Sequence, residues 1–136
     1  LPGSLQVEPA EGGERIAAGN AARYAPYVQA FTALDPAATA TAYKRFYPLI
    51  QQAYVDLGRS EGYFNDRLVA VIDHLLETPE LAQPPAVQRD ARGRYRFVDA
   101  TLQSRSVGQK ALLRMDAAQV HAVKQQLRAI RTAITR

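Results

Sequence analysis

The apolar pattern is clearest between Asp35 and Glu77, where two amphipathic segments flank a short glycine-containing turn. Tyr43, Tyr47, Ile50, Tyr54 and Leu57 recur at alternating spacings of four and three, with Phe46 and Leu49 widening the same side. That spacing predicts a helix with one buried face. Asp35 followed by Pro36 marks its start, because aspartate can accept an orphan backbone N–H and proline at the first helical position gives up no bond. Gly58 falls where a left-handed cap favours a residue without Cβ. Pro48 removes one backbone bond inside the pattern; since the apolar register continues from Tyr47 to Ile50, a kink is expected rather than a break. A second helix is predicted from Tyr63 to Glu77, with Phe64, Leu68, Val71, Ile72 and Leu75 on its apolar face and Thr78-Pro79 ending it.

Residues 1–19 are rich in Gly, Pro and Glu and read as a flexible N-terminal arm, with room for a short extended pair around Glu11 to Gly13. Asn20 is expected to cap a helix over Ala21 to Leu34, in which Tyr24, Tyr27, Val28, Phe31 and Leu34 share a face. After Pro79 the periodicity lapses, and Ala86 to Gln88 can pair with Tyr95 to Phe97 across a turn at Asp90 to Gly93. Helical patterning then returns: Asp99 caps a short helix including Leu102, and Ser106 or Val107 opens another with Leu112, Leu113 and Met115. Asp116 caps a final helix along which Val120, Val123, Leu127, Ile130 and Ile134 recur. Lys124, Arg128 and Arg131 are placed on its outer side. The expected fold is mainly α, a compact bundle of about five or six helices with a small irregular or β-hairpin excursion, residues 20–136 forming one helical domain.

Composition narrows the chemistry. The chain has 136 residues and no cysteine, which suits one domain and removes disulfides and zinc-thiolate sites. No apolar run approaches the roughly 18 residues of a membrane span. The net charge of +4 favours acidic partners, and much of the excess lies after Gln83. No nucleic-acid motif accompanies it, so no nucleic-acid partner is expected.

Three groupings are candidates for function. Asp66, Asp73 and His74 lie within two helical turns, and two carboxylates beside an imidazole could bind a divalent metal or divide acid and base roles. The plainer expectation is that Asp66 favours the helix N-terminus and pairs with arginines while His74 flanks the core, leaving no metal site, no cofactor and no catalytic residue. Six tyrosines in the first half, Tyr24, Tyr27, Tyr43, Tyr47, Tyr54 and Tyr63, are expected mainly in the core because they carry the amphipathic pattern. Arg89, Arg92, Arg94 and Arg96 crowd the hairpin region, and alternation would put Arg92, Arg94 and Arg96 on one side of an extended segment. There is no GxSxG, no HExxH and no glycine-rich phosphate loop.

The strings NAARYAPYVQAFTALDP, YKRFYPLIQQAYVDLG, GYFNDRLVAVIDHLLETPE, YRFVDA and SVGQKALLRM, in this order, resemble the bacterial domain of unknown function 3014 over nearly everything after Asn20. Arg59-Ser60 departs from the resemblance, standing where an aromatic and a proline would precede GYFND. What the resemblance implies is a membrane-anchored protein of Gram-negative bacteria. It would carry an N-terminal anchor, a Pro/Ala-rich spacer and this domain toward its C-terminus in the periplasm, the present chain being a C-terminal fragment. The membrane would be met only through the anchor at the inner membrane. The family brings no activity or cofactor.

These readings together predict a non-enzymatic interaction or scaffolding module of the bacterial cell envelope. Its protein or polymer partner would meet a surface joining Tyr63, Phe64, Asn65 and Asp66 to Arg92, Arg94 and Arg96. The alternative is a metal-dependent, hydrolase-type enzyme using Asp66, Asp73 and His74.

Overall fold

In the computed structural model, which describes residues 1–59 and 61–136, four helices begin where a side chain accepts a backbone N–H two or three residues ahead. Asp35 opens α2 (Pro36–Asp56), Asp99 opens α4 (Ala100–Gln103), Ser106 opens α5 (Val107–Leu113), and Asp116 opens α6 (Ala117–Ile134) with a reciprocal bond from Gln119. The other helices are α1 (Ala21–Thr32) and α3 (Phe64–Leu76). Gly58, just past α2, has φ +90°, the left-handed conformation expected of it. Ser60, half of the Arg59-Ser60 departure, lies outside the described residues.

Four short strands form one antiparallel sheet in the order β1-β2-β3-β4: Val7–Ala10, Gly13–Ile16, Ala86–Arg89 and Tyr95–Phe97. The chain is therefore mainly α with a small antiparallel sheet. The β3–β4 pair is the expected hairpin. The short extended pair expected around Glu11 to Gly13 forms as β1–β2, but it is not a flexible arm: β2 pairs with β3, Glu14 opposite Val87 and Arg15 opposite Ala86. Strand alternation puts Val7, Ile16, Val87 and Phe97 on one face, over Leu102 and Leu113, and leaves Glu8, Arg15, Gln88 and Arg96 on the other.

A separate helical core gathers Tyr24, Val28, Ile72, Leu112, Val123 and Leu127. At its centre α6 packs on α1, α2 and α3. It runs antiparallel to α3: Arg131 meets Asp73 near one end, and Lys124 meets Thr78 toward the other. Where α3 meets α5, a Cβ on Gly108 would lie 2.9 Å from Leu75 Cδ2, so the missing side chain lets the two helices abut.

Several expectations need correction. Asn20 does not cap α1: its backbone is already helical and its side chain makes no cap bond. It is fully buried, accepting from Gln6 N–H and the Arg23 guanidinium while donating to Arg114 C=O. Pro48, by contrast, does not divide α2, which is one helix through it as expected. Phe46 and Leu49 do not widen the buried side of α2 but face solvent, as do Tyr27 and Leu34. Lys44 Nζ donates to the Arg136 carbonyl beyond α6, and the later turns of α2 carry side chains that bond the start of α3. Lys124, expected on the outer side of α6, is only 4% exposed and donates to the Thr78 carbonyl at the partially negative C-terminal end of α3.

Candidate functional site

The first turn of α3 has no cap from its own preceding residue, Tyr63. Side chains of α2 supply it: Gln51 Oε1 accepts the Phe64 N–H at 2.7 Å and the Tyr47 hydroxyl accepts the Asn65 N–H at 3.0 Å. Tyr47 in turn donates to Gln51, Gln51 donates to the Gly62 carbonyl, and Tyr43 donates to Asn65 Oδ1. Burial raises the Tyr43 pKa, and the neighbouring Tyr47 adds to the rise. The Phe64 ring packs edge-on against Tyr54, their centroids 5.6 Å apart. Of the four residues expected to bind there, Phe64 and Asn65 are thus committed to the fold, while Tyr63, 65% exposed, and Asp66 face solvent. The tyrosines divide likewise: Tyr24 is buried, Tyr43, Tyr47 and Tyr54 are half-buried around this network, and Tyr27 and Tyr63 are exposed.

The β3–β4 turn is built around Asp90. Its carboxylate accepts the backbone N–H groups of Arg92 and Arg94, and the Arg94 guanidinium stands 3.8 Å away. The Arg94 N–H is the main reason the Asp90 carboxyl lies below its usual range; the Arg92 N–H and the positive charges of Arg94 and Arg96 assist. Arg89 lies over the Tyr95 ring, 4.6 Å from its centroid, and donates to the Gly93 carbonyl. Arg92, Arg94 and Arg96 are exposed. Arg92 sits in the turn and Arg94 just before β4, so of the three only Arg96 lies within the strand and the expected alternation over Arg92, Arg94 and Arg96 does not form. Beside them an open groove of about 580 Å³ is lined by Gln88, Arg89, Arg96, Gln103 and Ser104 among others. Gln103, whose Oε1 accepts the Phe97 N–H, and Ser104 carry no sequence pattern that marks them.

The two halves of the expected binding surface do not meet. The start of α3 lies beyond the C-terminal end of α6. The sheet lies at the other end, where Asp116 and Val120 share the walls of one cavity with Ile16 and Pro85. α6 itself is about 27 Å long at ~1.5 Å per residue. That shared cavity, about 200 Å³ and mostly apolar, is lined by residues of both cores, Leu112 and Leu113 among them.

Asp66, Asp73 and His74 do not converge. Asp73 binds Arg131 through both oxygens at 2.6 and 3.0 Å, and this hydrogen bonding lowers its pKa. His74 Nε2 lies 2.6 Å from Ser106 Oγ at the start of α5, while Asp66 is exposed at the far end of α3. Among the described residues no group of three or more His, Asp or Glu could hold a metal ion. The hydrolase-type alternative therefore finds no support in the geometry. On the basic face of α6, Lys124 is buried, Arg131 is held by Asp73, and Arg128 faces solvent. No helix among the described residues is long and apolar enough to cross a membrane.

No curated protein and no solved structure matches this chain. The family model described as "Protein of unknown function (DUF3014)" matches residues 1–131, so the match includes the β1–β2 hairpin as well as the helical motifs. The chain belongs to the DUF3014 family.

Proposed function

We propose that the domain is a non-enzymatic interaction module of the bacterial cell envelope that holds an acidic protein or polymer against the β3–β4 hairpin and the groove beside it. The observation that carries this reading is the charge of the hairpin. Arg89, Arg92, Arg94 and Arg96 surround a single carboxylate, Asp90, which is already engaged by backbone N–H groups. Exposed guanidiniums on a hairpin fixed by its own turn suit carboxylate- or phosphate-bearing partners, because a planar donor fork needs little reordering to bind them. The groove adds amide and hydroxyl groups from Gln88, Gln103 and Ser104 for a chain laid alongside. The family resemblance supports a periplasmic domain tethered at the inner membrane, where acidic polymers are at hand.

The test is retention on an acidic polymer column and pull-down from solubilised envelope, comparing the native chain with an Arg92→Glu/Arg94→Glu/Arg96→Glu variant. The variant is expected to fold normally and to lose retention and partner. Equal retention by both proteins refutes the assignment of the hairpin. A fusion reporter at the domain, active only outside the cytoplasm, checks the location.

A further inference from the structure

Besides the face that packs on α6 and α3, α2 carries a second apolar stripe. Ala42, Phe46, Leu49, Ala53 and Leu57 recur at fours and threes along it, and all are exposed, Phe46 at 51%, Leu49 at 70% and Leu57 at 83%. At 100° per residue this stripe is centred roughly a quarter-turn from Tyr43, Tyr47 and Tyr54, so it is a separate face rather than the edge of the buried one. Large aliphatic and aromatic side chains left in water at helical spacing over about 22 Å, at ~1.5 Å per residue, form a contact surface without its partner.

We infer that the partner is a second copy of this chain, the two α2 helices packing antiparallel about a two-fold axis near Ile50. The stripe is self-complementary in size: pairing about that point sets the small Ala53 opposite Phe46 and the small Ala42 opposite Leu57, with Leu49 close to the axis. It is self-complementary in charge too. Arg45 and Asp56 lie on the same flank of the stripe, and a two-fold axis between them brings Arg45 of each copy to Asp56 of the other. Within one chain neither belongs to an ion pair among the described residues. Both are held on that flank: the Arg45 guanidinium stands 5.6 Å from the Phe46 ring centroid, and Gln52 Nε2 donates to Asp56 Oδ1 at 2.9 Å. The contact is isologous and closed, so association stops at the dimer. One helix face on each side is smaller than the roughly 800 Å² per partner of a standard interface, so the dimer is concentration-dependent.

Sedimentation velocity over a wide concentration range tests the assignment. The native chain is expected to pass from monomer to dimer, and Leu49→Arg to raise the dissociation constant about tenfold or more with an unchanged circular dichroism spectrum, since Leu49 is largely exposed within one copy. Arg45→Glu and Asp56→Arg should each weaken self-association by placing like charges together, and an equimolar mixture of the two variants should restore it, because opposite charges then meet at both contacts. A monomer at every concentration, a dimer indifferent to Leu49→Arg, or charge variants whose mixture stays monomeric would each overturn the proposal.

Discussion

Replacing Asn20 by alanine removes a side chain that ties the N-terminal strands to the helical part. Its carboxamide joins three places remote in sequence: the Gln6 N–H before β1, the Arg114 carbonyl between α5 and α6, and the Arg23 guanidinium one turn along α1. Arg23 also reaches the carbonyls of Pro2 and Gly3 near the surface, so its loss is made good by water. The Gln6 N–H and Arg114 carbonyl lie in partly buried surroundings and would lose the partner found here. At about 1–3 kcal/mol for each of these two groups left unsatisfied, the substitution should cost about 2–6 kcal/mol, a large part of the ~5–15 kcal/mol that holds a domain together. Urea denaturation followed by circular dichroism gives the total, and amide hydrogen exchange locates it. The β1–β2 amides and the Ala17 N–H, which donates to the Gln6 carbonyl, should lose protection before the helices do. A cost below about 1 kcal/mol, or unchanged protection in β1 and β2, would refute the view that Asn20 fastens the strands.

Two further substitutions probe the network at α3 and the ion pair on α6. Tyr47→Phe deletes the hydroxyl that caps Asn65 and donates to Gln51; it should lower stability by about 1–2 kcal/mol, while Tyr27→Phe, on an exposed ring, should change little, and equal effects in denaturant titrations would contradict the capping role. Asp73→Asn should be less stable than the native chain at neutral pH. Because Arg131 lowers the Asp73 pKa in the fold, that stabilisation is present above the unfolded value near pH 4 and is lost as pH falls through the folded one. The difference between the two proteins should therefore close in acid, and a gap that persists there would show that the ion pair is not its source.

Local signals in the sequence find most of the elements and miss most of the long-range roles. Asp35, Asp99, Ser106 and Asp116 act where they stand because a cap needs only a backbone N–H two or three residues ahead. The β3–β4 hairpin is legible for the same reason, its turn and alternation falling within a dozen residues. The attachment of β2 to β3 is not legible, since it joins segments some seventy residues apart and depends only on which edge is free. Lys124 resembles the other cations of α6 in type and spacing, and nothing local tells that α3 ends beside it. α2 fails differently. A helix with apolar residues around more than half its circumference offers two stripes, and which one α6 and α3 cover is decided by their placement, not by the residues of α2. In the candidate site the arginines were visible as composition, whereas the groove beside them requires α4 folded against β4.

A short hairpin bearing four arginines would make a poor binding surface if it were only loosely attached. Two adjacent residues of α5 bear on this: Leu112 belongs to the helical core and Leu113 to the core under the sheet. Neighbours on a helix point about 100° apart, so a single two-turn element packs into both cores, and neither can be disrupted at α5 without disturbing the other. Gly108 presses the same helix against Leu75, and Gln109 donates to the His74 carbonyl at 2.6 Å, fixing α5 to the end of α3. The sheet is thereby fastened on two sides, through Asn20 to α1 and through α5 to α3 and α6. Its exposed face can present Arg96 at a fixed position without ordering a loop at the moment of contact. The arginine hairpin is in this sense the outer end of the helical core, and binding there should draw on the stability of the whole domain.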